Sequence, residues 1–317
     1  MLTEINLPDG EMDLQTGISD DGNVVGGAVY YQGEYHTFRW DNGVLEVLTD
    51  PGDSYSYPGL GSSVSGDGSV IVGGAGGPNG SRPVYWQGGV QTSLPTPDGI
   101  RYGYADAISR DGRTIVGIAG GDNAQYPLMW HDGVMTVQPN LPGRDDYASV
   151  IIVNDDGTVA AGTATAETGN HLVRWVNGEL EVLWTVNTEG IIPSYWDISS
   201  DGSLLLAGAV YNNEVRSLIW REGLGVRTFQ SYAQNHFGLS LSEALSDYAF
   251  FYEPGQMSAD GRFFTGVAYD ERYRPTQYMV YLDPADFVTP EPSSLALAGC
   301  AAVGLLWAGR RSRSPRR

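Results

Sequence analysis

Metal ligation and proton transfer start with histidine and paired carboxylates, and this chain offers few of either. His36, His131, His171 and His236 lie at unrelated offsets, none in an H-E-x-x-H or other close ligand pair. Surface or channel-lining positions are expected for them. The acidic pairs Asp20-Asp21, Asp145-Asp146 and Asp155-Asp156 have the right type for calcium, or for an acid and a base. No D-x-D-x-D-G loop with a closing Glu accompanies them. Calcium is the one cofactor they leave open; no other is expected. No Gly-x-Ser-x-Gly elbow occurs, and the chain has no lysine for a phosphate-binding loop. The single cysteine, Cys300, makes neither an internal disulfide nor a Cys-type zinc site. No catalytic residue and no metal ligand is assigned, so a non-enzymatic protein is expected. Tyr30, Tyr31, Tyr55, Tyr57, Tyr102 and Tyr104, set among Asp and Asn, have the character of rings that stack on sugars, or of packing between structural units.

The elements that position these residues are repeats. An Asp-Gly pair recurs with its Gly at 22, 68, 112, 157, 202 and 261, spaced 46, 44, 45, 45 and 59 residues apart. A tryptophan follows the first five 18 residues on, at Trp40, Trp86, Trp130, Trp175 and Trp220. Tyr281 takes that place in the sixth unit, 20 residues on. Asp-Gly between two apolar runs supplies the positive φ of a tight turn. A Gly after the following Val-Val or Ile-Val allows close approach of a backbone or a ring. Each Trp is expected to fill the wedge between neighbouring units. Runs such as Val70-Ile71-Val72 are strand-like and too short for helices. Four strands in about 45 residues make one propeller blade. The fold class is therefore all-β, a six-bladed β-propeller over residues 1–287. Leu2–Leu7 is expected to complete the last blade, and Leu239–Leu245 to form a short helix in an insertion before the sixth Asp-Gly.

The formal net charge is -20, with a sequence pI near 4.3. Five of the 18 basic residues fall in the last eight positions, so the body is more acidic still. Such a surface repels nucleic acid, whose binding needs clustered cations. The pattern I-S-x-D-G-x-x-V-V-G followed by W-x-x-G-V resembles the HAF repeat family of bacterial extracellular proteins over about residues 14–283. That resemblance implies an exported protein of no settled activity.

Residues 288–317 form a second region. Pro290-Glu291-Pro292 precedes a wholly apolar or small run, Leu295–Ala308, and then Arg310, Arg311, Arg313, Arg316 and Arg317. With its flanking residues the run approaches the length of a single transmembrane helix. Arg310 and Arg311 would stop it at the headgroups, leaving the basic end cytoplasmic and the body outside. The ordered set resembles the PEP-CTERM sorting signal. By that resemblance Pro290, Glu291 and Pro292 are recognition residues for exosortase, a membrane transpeptidase, and the helix is a temporary anchor. The destination implied is the cell surface or the extracellular matrix, with exopolysaccharide or another surface protein as partner. The start, Met1-Leu2-Thr3-Glu4, shows no secretory pattern, and an export signal upstream of Met1 is expected. The other function class to weigh is a polysaccharide-acting enzyme, with two carboxylates converging about 5–10 Å apart in the propeller channel.

Overall fold

The computed structural model describes residues 10–48, 55–59, 63–77, 80–121, 124–142, 147–186, 194–211, 214–247, 250–251 and 255–284. They form six antiparallel sheets, each a meander, arranged as the six blades of a propeller. Blade 1 holds β1 (Gly10–Ile18), β2 (Val24–Tyr31), β3 (Glu34–Asp41) and β4 (Val44–Leu48). Blade 2 holds β5 (Tyr55–Pro58), β6 (Val70–Gly77), β7 (Gly80–Gln87) and β8 (Val90–Ser93). Blade 3 runs β9 (Tyr102–Ile108), β10 (Thr114–Gly120), β11 (Gln125–His131), β12 (Val134–Val137). Blade 4 runs β13 (Ala148–Val153), β14 (Val159–Ala166), β15 (Gly169–Val176), β16 (Glu179–Val186). Blade 5 has β17 (Ser194–Ile198), β18 (Leu204–Tyr211), β19 (Glu214–Arg221) and β20 (Gly225–Thr228). Two helices follow, α1 (Phe229–Phe237) and α2 (Leu241–Ala244). In blade 6, β21 (Phe250–Phe251) and β22 (Gln256–Met257) both pair with β23 (Phe263–Tyr269), which pairs with β24 (Pro275–Tyr281).

First strands neighbour first strands around the ring, β9 beside β13, β13 beside β17 and β17 beside β22. They form its inner wall. Each Asp-Gly turn joins that strand to the second. The Gly after the following apolar pair lies where the first strand presses closest: a Cβ at Gly73, Gly117 or Gly162 would run into the backbone of β5, β9 or β13. A register shift sits at this place in blades 1, 3, 4 and 5, so the inner strand bulges towards the glycine.

The tryptophans do fill wedges. Trp86, Trp130, Trp175 and Trp220 are at most 8% exposed. Each joins a core shared with the preceding blade: Trp86 with Val24 and Leu48, Trp130 with Val70 and Val72, Trp175 with Ala107 and Val116, Trp220 with Ile152 and Leu172. The indole N–H of Trp130 donates to the Pro95 carbonyl and that of Trp175 to the Pro139 carbonyl, both at 2.8 Å. These loops enter the blade from its neighbour.

The sixth unit departs from expectation. Trp40, Trp86, Trp130, Trp175 and Trp220 pair with the second residue of their own β2-type strand; the residue so placed in blade 6 is Val280, opposite Phe264. Tyr281 stands one position further and is 47% exposed. The longer loop before β24 changes the count, and helix α1 supplies the missing bulk. Phe229 meets Phe264 edge-on at 4.8 Å, with Tyr232, Ala233 and Leu241 around them. Helix α1 was not legible as a helix. It starts at Thr228, whose hydroxyl accepts from Ser231 N–H, and ends at Gly238 with φ 67. The expected helix at 239–245 is the single turn α2.

The strand expected over Leu2–Leu7 lies outside the described residues. So does the transmembrane helix expected over 295–308, with Pro290, Glu291, Pro292, Arg310 and Arg311. Among the described residues no helix is long and apolar enough to cross a membrane.

Candidate functional site

The six acidic turns are built alike. In blade 1 the Ser19 hydroxyl donates to Asp21 at 2.7 Å and accepts the Val24 N–H at 2.9 Å, while Asp21 takes the Asn23 N–H at 2.9 Å. The same bonds recur from Ser65 and Asp67, Ser109 and Asp111, Asn154 and Asp156, Ser199 and Asp201, and Ser258 and Asp260. A carboxylate that accepts two donors is favoured in its charged form. The Asn23 N–H first, then the Ser19 hydroxyl, hold Asp21 below the usual carboxylate range; the Ser69 N–H and Ser65 hydroxyl do so for Asp67. These aspartates close turns. Among the described residues, no three His, Cys, Asp or Glu side chains gather as metal ligands. The pair Asp145-Asp146 lies outside the described residues.

Main-chain groups at or just before the turn aspartates link the blades. Asp20 N–H donates to the Gly66 carbonyl, Gly66 N–H to Arg110, Asp111 N–H to Asp155, Asp155 N–H to Ser200 and Ser200 N–H to Ala259, over 2.7–3.3 Å. This is a belt of main-chain bonds around one end of the ring. The Arg110 guanidinium reaches across blade 2 to pair with Asp20 and also donates to the Ile18 carbonyl. Gly66 leaves room for this pair, because a Cβ there would stand 2.6 Å from Asp20 Oδ2. Asp155 accepts from the Ser200 hydroxyl. Thus Asp20 and Asp155, the two carboxylates in the belt position before a turn aspartate, are bound to neighbours.

Asp197, on β17, is different. Its carboxylate accepts the Ile198 N–H at 2.9 Å and, from blade 6, the Met257 N–H at 2.8 Å. Burial pushes its pKa up to about 6 despite both bonds. Sequence reasoning passed it over, since it belongs to no repeated position.

The histidines stay apart. His36 lies half-buried on β3, and burial lowers its pKa. His131 shares a hydrogen bond of 2.9 Å with Thr114. His171 is held between Thr168 and Thr185 at 3.0 Å each, and burial lowers its pKa. His236 is buried on α1 beside Tyr232.

The tyrosines sort into two groups at the strand ends away from the belt. Tyr30 and Tyr35, paired across β2 and β3, meet edge-on at 5.1 Å, and Tyr35 meets Tyr57 of blade 2 at 5.7 Å. Tyr30 is 43% and Tyr35 41% exposed, so this is an aromatic surface spanning two blades. Tyr35 was not singled out from the sequence; its place opposite Tyr30 across a short hairpin was the available signal. The second group packs inward. The Tyr104 ring lies over Gly74 of blade 2. The Tyr102 hydroxyl donates to Gln125 at 3.2 Å, and burial, then the nearby Tyr147, raises its pKa. Tyr31 borders the blade 1 core, and Tyr55 is half-buried.

A cleft of about 380 Å³ lies between the turns of blades 5 and 6 beside α1. Arg221, Tyr232, Asp260 and Arg262 are among its walls. Its charges are largely satisfied: Arg221 donates to the Tyr232 hydroxyl at 2.8 Å, and Arg262 stands 3.5 Å from Asp260.

No family model matches the chain, and no curated protein does. Solved structures do resemble it. An oligogalacturonate lyase in complex with manganese aligns at TM-score 0.55 and 14% identity, over 86% of this chain and 75% of that one. The β-propeller domain of the Trilobed protease from Pyrococcus furiosus, described as having an open velcro topology, aligns at TM-score 0.52 and 10% identity, over 86% and 82%. TolB from Acinetobacter baumannii aligns at TM-score 0.49 and 13% identity over 68% of this chain, which spans only 53% of that protein. At such identities the likeness is one of fold, and what this chain is similar to is a β-propeller.

Proposed function

We propose that this protein is an exported, non-enzymatic surface protein whose propeller binds exopolysaccharide through the tyrosine surface of blades 1 and 2, and whose C-terminal region is a sorting tail processed by exosortase. The observation that carries the binding half is the aromatic cluster Tyr30–Tyr35–Tyr57, in which Tyr30 and Tyr35 are exposed and Tyr57 is half-buried. Exposed aromatic rings stack on sugar faces at little entropic cost. The net charge of -20 speaks against nucleic acid and anionic lipid as ligands of the body. For the tail, the support is the ordered set of Pro290-Glu291-Pro292, an apolar run with the character of a transmembrane helix, and the arginines headed by Arg310 and Arg311. The alternative, a polysaccharide-acting enzyme, needs free converging carboxylates. Asp20 and Asp155 instead engage Arg110 and Ser200, which favours the binding reading.

Calorimetric titration with the host's exopolysaccharide tests it. Saturable heat is expected, and Tyr35→Ala should weaken binding about 2–10-fold, from the roughly 0.5–1.5 kcal/mol of one aromatic contact. Heat that is absent, or untouched by Tyr35→Ala, refutes the tyrosine surface. In an exosortase-bearing host, Pro290→Ala with Pro292→Ala should leave the chain uncleaved in the membrane fraction; normal release would refute the tail's role.

A further inference from the structure

Blades 1 to 5 each end in a fourth strand that forms the outer edge of its sheet. An open edge offers unpaired N–H and C=O groups to any other strand, and folded chains blunt it with charge, bulges or a covering element. All but one of these edges carry such a device. β4 has the exposed Glu46, and β16 has Glu179, Glu181 and a register shift in its pairing with β15. β20 has the exposed Arg227 and runs into α1, which packs on it. On β8 the Arg82 guanidinium donates to the Ser93 hydroxyl at 2.9 Å. β12, Val134-Met135-Thr136-Val137, has no charged residue, no proline and no register shift. Val134 is 69% and Val137 44% exposed, and Thr136 is exposed between them.

The direction of the β12 main-chain groups follows from one bond. The Gln138 N–H donates to the Pro127 carbonyl at 2.9 Å. Ladder bonds of an antiparallel pair fall on alternate residues, so Thr136 and Val134 bond inward to Met129 and His131. The N–H and C=O of Met135 and Val137 therefore point out of the sheet. β12 pairs with β11 alone among the described strands, and the chain on both sides of it, 124–142, is described throughout.

We propose that β12 is a self-association edge: two copies of this chain pair through it, antiparallel, about a two-fold axis at Thr136. In that register Met135 of each copy faces Val137 of the other, which matches every outward main-chain group. Thr136 faces Thr136, a favoured cross-strand pair. Charge selects a second copy over a charged partner. The exposed side chains of β12 are neutral, so they offer nothing for a basic or an acidic peptide to read. Copies with a net charge of -20 repel one another, and a neutral edge lets two of them meet without opposing carboxylates. At the hairpin that leads into it, Arg113 and Asp132 neutralise one another, with Nη2 2.5 Å from Oδ2. So short an edge makes a weak contact, suited to chains crowded on one surface; that setting rests on the sorting-tail reading above, and the pairing does not.

Sedimentation of the full chain in mild detergent tests the pairing. Association should tighten as salt rises from about 0.05 to about 0.5 M, since salt screens the repulsion and leaves the neutral edge alone. Association that salt weakens overturns the proposal. Thr136→Lys and Thr136→Glu each set like charges opposite one another at the axis, and each should weaken pairing about fivefold or more. Mixed together, the two variants should pair at least as tightly as the parent, because opposite charges then meet. Variants that pair like the parent, or a mixture that stays apart, overturn it. Amide exchange followed by NMR in the unsubstituted chain gives an independent reading. In dilute protein the amides of Met135 and Val137 should exchange at least about tenfold faster than that of Thr136, and raising the concentration should slow them. Slow exchange at every dilution means that another part of this chain already covers the edge, and fast exchange at every concentration means that no second copy does; either overturns the pairing. A chain that pairs in solution yet never reaches a cell surface upholds the pairing and refutes only the sorting reading.

Discussion

The turn glycines of Asp-Gly serve two purposes, and a pair of alanine substitutions separates them. Gly22 and Gly202 hold the same place in the repeat, with φ of 72 and 70. A Cβ on Gly22 would meet nothing within 4 Å. A Cβ on Gly202 would stand 2.7 Å from Cβ and from Cγ2 of Val159, a buried residue of β14 in the preceding blade. Gly22→Ala therefore carries only the left-handed backbone strain, about 1 kcal/mol. Gly202→Ala carries that strain plus an overlap with a side chain fixed to a strand, about 1–3 kcal/mol more. Urea denaturation of each variant would measure both. The expected ordering is a loss of about 1 kcal/mol for Gly22→Ala and about 2–4 kcal/mol for Gly202→Ala. Val159→Ala supplies the check: in a double-mutant cycle Gly202→Ala and Val159→Ala should couple by about 1–2 kcal/mol, because the second removes the methyls struck by the first. Equal losses for the two glycine variants, or no coupling, would show that blade contact at the turn contributes nothing and that the glycine is there for its φ alone.

Two further expectations are simpler. Burial pushes the Asp197 carboxyl up to about 6 in the folded chain, from an ordinary value of 3.8. The folded state therefore holds its proton more tightly than the unfolded chain does. Stability from this group is lost as pH rises through the window from 3.8 to 6, up to about 3 kcal/mol in all. Unfolding free energy measured at pH 5 and pH 7.5 should differ less in Asp197→Asn than in the parent; an unchanged difference refutes the assignment. Trp175→Ala should cost about 3–5 kcal/mol, since the indole fills an interface and hydrogen-bonds the Pro139 carbonyl. Tyr281→Ala should cost less than about 1 kcal/mol, and thermal unfolding of the two would expose any error in placing Val280 rather than Tyr281 at the wedge.

The blades were legible because two chemically distinct marks, Asp-Gly and Trp, keep a fixed separation, and a turn and a wedge each demand a particular residue. The close approaches at Gly73, Gly117 and Gly162 were legible for the same reason. The shift from Tyr281 to Val280 was not, because register in blade 6 depends on how the loop before β24 is accommodated. Helix α1 escaped because Phe229, Tyr232, Ala233 and His236 form a buried stripe too short to stand out beside strand-like neighbours. The functional residues were harder. The acidic pairs looked like sites, but in the two that are described, Asp20-Asp21 and Asp155-Asp156, hydrogen bonds too short-ranged for spacing to reveal employ the carboxylates as turn closures and in links to neighbouring blades. Tyr35 gained its exposure and its neighbours only once β3 folded back on β2 and β5 came alongside. Asp197 owes its raised pKa to burial at a contact between two blades.

The belt also has a mechanical meaning. Each of its bonds ties one blade to the next, so a pull on one blade is shared along the bonded series from Asp20 in blade 1 to Ala259 in blade 6. The last described residues, Leu282 to Pro284, leave from blade 6. Tension applied beyond Pro284 would pass through blade 6 into its interface with blade 5. That interface is where α1 adds Phe229, Tyr232 and Ala233 to the core, and where the Ser200–Ala259 and Asp197–Met257 bonds cross. The inserted helix thus braces a joint through which a tether at the C-terminal end would pull.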